Sequence, residues 1–302
     1  MRTSNAIVNT RIGAVIVTFN RLPYLQQLLP ALQTQTVPVN EVIVVNNSST
    51  DGTKEWLETQ TLFSIIQQGN TGGAGGFSTG IKSALEKGVE WIWVMDDDVL
   101  PQKDCLEKLL SYSFLSECLL PIHLNCEGKI LDEERWFNPA DCSIQSFFNS
   151  SYKQGKKYWF TNIGSFEGML LSADIIKKIG YPDQRFFLMH DDMVYGFLAH
   201  QHTNLAVIAD AVMQKQAIPT NEERLYRGLY YQFRNLWLVQ EYADKFLPAL
   251  KFYRRRRIRL QFWYEAYKII RLKEYPNKKK ALQTLWSAYK AYKKKTKGKS
   301  FA

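Results

Sequence analysis

Three consecutive aspartates, Asp96, Asp97 and Asp98, end the apolar run WIWVM at 91–95. Adjacent like charges repel and cannot enter a core unpaired, so they are expected at the C-terminal edge of a buried strand, facing a cation. Open α/β sheets bind ligands at that edge, and a hard divalent ion carrying a phosphorylated ligand suits oxygen donors of this kind. Taken alone, the triplet fits a solvated acidic turn as well. A second acidic pair, Asp191-Asp192, lies in FFLMHDDMVYGF at 186–197. Two acids opening a helix can act as a general base or simply cap the helix. The stretch NTGGAGGF at 70–77 carries four glycines in five positions ahead of a helix expected over 78–87. Such a loop lets backbone approach a ligand, and the amides of the following turn favour an anion such as a diphosphate. It is not a P-loop, because no Gly-Lys-Ser/Thr follows, and Ser78 stands where a dinucleotide fingerprint needs glycine. On its own, the stretch equally marks a tight turn.

The elements that must position these groups can be read from periodicity. Residues 12–18 form a β-type apolar run, and Leu25, Leu28, Leu29 and Leu32 give helical spacing to 22–32. Residues 41–45 repeat the strand pattern and end in NNSSTDGT at 46–53, turn chemistry ahead of a short helix over 54–59. A third apolar run covers 62–66. The βαβα order predicts a parallel sheet with right-handed crossovers, which brings the polar ends of three strands to one edge.

The chain has 302 residues, 45% of them hydrophobic, enough for one large α/β domain and an appendage. Its four cysteines, Cys105, Cys118, Cys126 and Cys142, form no CxxC pair and have no zinc-spaced His, so they read as packing residues of a reduced compartment. With no apolar leader and no run near the ~18 residues that span a bilayer, a cytoplasmic protein, peripheral on the inner face of the cell membrane, is expected. The net charge of +10 is uneven: residues 251–299 hold eighteen Lys and Arg against two Glu, leaving the remainder net acidic. This tail breaks at Pro276-Asn277 into two amphipathic segments, one striped by Leu260, Trp263, Tyr264, Tyr267 and Ile270, the other by Leu282, Leu285, Trp286, Tyr289 and Tyr292. The first stripe is expected to pack on the body and the second to lie on an anionic bilayer. No nucleic-acid module accompanies the charge, so nucleic acid is not an expected partner.

Together, TFNR at 18–21, VVNNSSTDGT at 44–53, NTGGAGGF at 70–77 and WVMDDD at 93–98 resemble glycosyltransferase family 2 in the order in which that family carries them. The glycine element with the aspartates is similar to the galactofuranosyltransferase and rhamnosyltransferase branch, and the likeness runs from about Arg11 to Asn235. It implies an α/β GT-A fold, a Rossmann-like, mostly parallel sheet flanked by helices, over 1–215; the charge and periodicity of the tail add a basic, amphipathic, membrane-associating helical extension over 216–302. It further implies a UDP- or dTDP-sugar donor, a divalent metal (Mn²⁺ or Mg²⁺), inversion at the anomeric carbon and a glycan or lipid-linked acceptor. The oligomeric state is left open.

Carried over by motif, the donor would meet Thr18, Asn20, Arg21, Asn46, Asp51, Asn70, Gly72, Gly73, Gly75, Gly76, Asp96 and Asp97, with Asn46 reading the pyrimidine edge. Asp98 would hold the metal. Relatives place a metal-binding His where Gln214 stands here, and His190 is the substitute considered. Asp192, beside Asp191, would be the base, Glu167 and Gly168 would line the acceptor side, and Arg234 in YYQFRN at 230–235 would reach a phosphate or a buried acid. UDP-galactofuranose is placed ahead of dTDP-rhamnose. A sugar nucleotidyltransferase and a non-enzymatic basic surface-binding protein are the readings from other classes.

Overall fold

The computed structural model describes residues 10–131, 134–147, 150–217, 221–272 and 275–301. Strands β1 (Ile12–Thr18), β2 (Glu41–Asn46), β3 (Ser64–Gln67) and β4 (Trp91–Asp96) pair in parallel in the order β3-β2-β1-β4. They are joined by helices α1 (Leu22–Gln33), α2 (Thr53–Glu58) and α3 (Gly72–Glu86). β1 is wholly buried because helices cover both faces of a parallel sheet, which is why its sequence is continuously apolar rather than alternating. β5 (Val99–Pro101) and α4 (Cys105–Ser111) follow the aspartates.

Beyond β4 the sheet is mixed. β10 (Glu167–Ser172) runs antiparallel to both β4 and β6 (Cys118–Leu124). The long β11 (Leu205–Lys215) lies parallel to β6, pairs β9 (Tyr158–Thr161) along its first half and β5 along its second. The nine-stranded order is completed as β4-β10-β6-β11-β5. A separate hairpin, β7 (Arg135–Asn138) and β8 (Ser143–Ser146), precedes α5 (Ser150–Lys153), while α6 (Ala173–Ile179) and α7 (Asp191–His200) lie between β10 and β11.

Helices α8 (Glu222–Arg234), α9 (Leu236–Phe246), α10 (Lys251–Arg271) and α11 (Lys278–Lys294) close the chain. They share one buried cluster with Ala74 of α3, with Phe186 and Phe187 and with Phe197 of α7, so the region past 215 has no core of its own. The two tail stripes are reversed relative to expectation. In α11, Leu285, Ala288 and Tyr292 are buried against the body. In α10, Leu260, Trp263, Tyr264, Tyr267 and Ile270 are each more than half exposed, and Ile258, Phe262 and Ile269 face inward instead. Periodicity identifies a face but does not say which of two faces finds a neighbour. Among the described residues no helix is long and apolar enough to cross a membrane.

Candidate active site

The C-terminal ends of β1 and β4 and the start of α3 open onto a cavity of about 610 Å³. Thr18, Asn20, Arg21, Asn70, Gly72, Gly73, Asp96 and Asp97 all line it, so three segments far apart in sequence converge as expected. Its volume is that of a site for a substantial organic ligand.

Other donor-side expectations are corrected. Asn46 is fully buried: its amide donates to Gln67 Oε1 at 2.8 Å and its carbonyl accepts from the Ser49 amide at 3.1 Å. The neighbouring Asn47 lines the cavity in its place. Asp51 ties loops together, accepting from the Leu22 amide at 3.0 Å and from the hydroxyl and amide of Thr53. Burial disfavours its charge, yet these donors hold its carboxylate below the ordinary range. The glycine stretch is not a loop: α3 begins at Gly72, six residues ahead of the expected start. Gly72 has a φ of 73°, and a Cβ there would lie 2.0 Å from the Phe187 carbonyl oxygen. Gly75 and Gly76 point into packing, where a Cβ would strike Thr71 and Val17 respectively. Helix propensity argues against glycine in a helix, but close helix–strand approach overrides it here.

Asp96, Asp98 and Glu167 offer carboxylate oxygens all within 4.8 Å of one another. A bulge in β10 between Glu167 and Met169 sets Glu167, expected on the acceptor side, at the cluster as well. Gly168 forms that bulge with a φ of 105° and gives its carbonyl to Trp93 Nε1 at 2.9 Å, so its role is in the sheet rather than toward an acceptor. Burial, then the charges of Asp98, Glu167 and Asp97, raises the Asp96 carboxyl well above its ordinary value. Burial likewise pushes Asp97 up to about 6 against the pull of Arg21. Arg21 Nη1 reaches Asp97 at 2.7 Å and Asp98 at 2.9 Å, and Lys215 Nζ reaches both oxygens of Glu167, at 2.9 and 2.7 Å. Asp98 Oδ1 is buried without a hydrogen-bond partner. An oxygen-only donor set with an orphaned carboxylate atom fits a hard divalent cation. His190 is not part of this group: its Nε2 lies 3.0 Å from the Gln232 carbonyl, and burial lowers its pKa toward the neutral ring. Gln214 is exposed, and the β alternation turns Lys215 to the cluster instead.

A second cavity, of about 470 Å³, lies on the far side of the cluster, lined by Glu167, Lys215, His190 and Asp192 together with Trp159 and Met189. Phe187 and Leu188 line the first cavity, and Met189 and His190 the second, so one short segment partitions the two. Asp192 faces this second space, whereas Asp191 is buried beneath it. Burial pushes Asp192 up to about 6 even though the Met193 amide donates to it at 2.7 Å. Asp191 is raised further, by burial and by the charge of Asp192.

Arg234 contacts neither a phosphate site nor an acid. Fully buried, it donates to the carbonyls of Arg185, Phe186, Thr296 and Gly298. Sequence reasoning also missed Arg224 and Arg227, which bring positive charge to the first cavity from α8. Their spacing after the N-cap Asn221 put them on one helical face, but nothing local tied that face to the aspartates.

The sequence pattern of the family described as glycosyl transferase family 2 matches residues 14–180. Galactofuranosyltransferase GlfT1 of Mycolicibacterium smegmatis is 30% identical over 189 residues, covering 60% of this chain and 62% of that protein. The low-salt glycan biosynthesis hexosyltransferase Agl10 of Haloferax volcanii is 26% identical over 213 residues, covering 67% of each. The match thus spans less than two thirds of the galactofuranosyltransferase. Among solved structures, GalNAc-T7 with UDP, GalNAc and Mn²⁺ superimposes with a TM-score of 0.61 at 11% identity, covering 93% of this chain and 54% of that one. The mannosyltransferase PcManGT of Pyrobaculum calidifontis, in complex with GDP-Man and Mn²⁺, gives 0.55 at 19%, covering 94% and 75%. These likenesses establish a shared GT-A fold. With the sheet edge, the aspartates and more than half of the chain matching one pattern, the protein belongs to glycosyl transferase family 2.

Proposed function

We propose that this protein is an inverting glycosyltransferase that moves a sugar, galactofuranose from UDP-galactofuranose in first place, onto a glycan or lipid-linked glycan. The observation that carries the reading is the carboxylate group of Asp96, Asp98 and Glu167 between two cavities, Asp96 lining one and Glu167 the other, with the raised carboxylate of Asp192 in the second. The nucleotide diphosphate takes the first cavity, where Gly72 and Gly73 open α3 and Arg224 and Arg227 supply positive charge. The acceptor takes the second. Asp192 removes the proton from the acceptor hydroxyl as that oxygen attacks the anomeric carbon from the face opposite the diphosphate. Asp96, Asp98 and Glu167 would hold a divalent ion, which when bound neutralises charge on the departing diphosphate. The 30% identity to GlfT1 supports the galactofuranosyl donor.

The test is release of free nucleoside diphosphate across a panel of UDP-, dTDP- and GDP-sugars, with and without Mn²⁺. Turnover with one uridine donor is expected; release from a dTDP-sugar alone moves the assignment to the rhamnosyl reading, and release from none ends it.

The membrane partner belongs to α10 in this reading. Its exposed stripe lies opposite its buried face and is interleaved with exposed Arg256 and Arg271 and flanked by Arg257, Arg259 and Lys268. Aromatic residues bordered by arginines suit the headgroup region of an anionic bilayer. Replacing Trp263 and Ile270 with Glu is expected to weaken sedimentation with phosphatidylglycerol vesicles at least about tenfold. Undiminished sedimentation would reject α10 as the contact.

A further inference from the structure

The carboxylate cluster carries two cations of its own. Arg21 spans Asp97 and Asp98, and Lys215 is bidentate on Glu167. Four carboxylates facing two cations leave at most two negative charges, which one divalent ion would balance.

Lys215 is not a chance surface neighbour. It is the last residue of β11, where it pairs with Val99, the residue after the aspartates, and the next residue's amide donates to the Asp98 carbonyl at 2.9 Å. Its backbone is therefore fixed beside the cluster while its four-carbon stem stays free to move. The Glu167 oxygens that complete the three-carboxylate group are the same atoms that the ammonium holds. A metal ion on those oxygens would lie a few ångströms from the ammonium, and like charges at that distance repel strongly in a half-buried site.

We propose that Lys215 is a resident counter-ion that competes with a divalent cation for Glu167, so that the free protein holds the metal weakly. Lys215 is on this view a residue that sets metal affinity, and the inference rests on the metal and donor sites of the proposed function. Removing the ammonium releases Glu167 to act as a third ligand.

Mn²⁺ binding to the donor-free protein, followed by the loss of the free-ion EPR signal, tests this without turnover. Lys215→Met is expected to bind Mn²⁺ at least roughly tenfold more tightly than wild type, and adding Glu167→Gln to that variant is expected to abolish the gain. Lys215→Gln keeps a donor to Glu167 without the charge, and gives a second reading should the Met variant fold poorly. Unchanged affinity in the folded variants, or a gain that survives Glu167→Gln, would overturn competition at Glu167. UDP binding measured on the same wild-type sample separates the two ideas: its absence counts against the donor site, whereas the Lys215 comparison stands on Mn²⁺ alone.

Discussion

Asp192→Asn is expected to lower turnover by about 10²–10⁴-fold, the range for loss of a positioned general base, while nucleotide binding in the adjoining cavity is retained. Asp192 lines the second cavity and not the first, so contacts in the first do not depend on it. The pH dependence follows from its burial. The base must be ionised, and its carboxyl is pushed up to about 6. The rate is therefore expected to fall as pH drops through about 6, well above where an ordinary carboxylate would take its proton. Stability should move in the opposite sense. A carboxyl raised in the folded state binds its proton more tightly there than in the unfolded chain, so its burial destabilises the fold as pH rises through the folded value. The Asn variant, which carries no charge to bury, should melt no lower than wild type at neutral pH. Loss of turnover with an unchanged or raised Tm and intact UDP binding marks the base; turnover near the wild-type rate would assign the proton to another group.

Arg234→Ala should be the most damaging substitution outside the two cavities. The segment that partitions them holds Phe187, Met189 and His190 at φ values of 67°, 66° and 71°, a left-handed conformation that costs non-glycine residues of order 1–3 kcal/mol each. Arg234 and Asn235 oppose that strain. The guanidinium binds the carbonyls of Arg185 and Phe186 on one side and of Thr296 and Gly298 on the other, and Asn235 Nδ2 reaches those of Phe186, Leu188 and Met189. The last residues of the chain are thereby stitched to the segment that precedes Asp191 and Asp192. Burial lowers the Arg234 pKa, and its stacking over Tyr231, 4.8 Å from the ring, accompanies the charge. Truncation to Ala leaves buried carbonyls without donors, an expected loss of about 3–5 kcal/mol. Arg234→Lys keeps the charge without the planar fork and should recover only part of it. Chemical denaturation gives the stability change. Turnover of the Lys variant, compared at a temperature where it is fully folded, shows whether the segment between the cavities has shifted as well. An Ala variant with wild-type stability would show that the clamp does not hold the segment. For the same reason, removing the chain after Tyr275 is expected to unfold the protein rather than merely detach it from a membrane, because it takes away the buried face of α11 together with Thr296 and Gly298.

Much of the first cavity was legible because the signals there are local. β1 was read at its observed bounds, Thr18, Arg21 and Asp96 were placed at one edge by strand order, and Gly73 joined them through the motif resemblance. The misreadings share a different cause. Asn46 and Asp51 have the chemistry of ligand contacts, but neighbouring loops use up their hydrogen-bonding capacity. Four glycines signalled close approach correctly, yet what approaches Gly75 and Gly76 is Thr71 and β1 rather than a ligand. Lys215, Arg224 and Arg227 carried no motif, since a cation becomes informative only when the acids it faces are known.

The sequence by itself determined the βα alternation, the acidic strand end and the pairing of Asp191 with Asp192, because those depend on periodicity and on neighbours within a few residues. Only the tertiary structure decided which carboxylate joins the aspartates, which tail stripe meets the body and what Arg234 holds. Each of those outcomes depends on partners distant in sequence, such as Glu167, 71 residues from Asp96, and Phe186, 48 from Arg234, and the energy that selects among such partners comes from burial and charge pairing that no local pattern records.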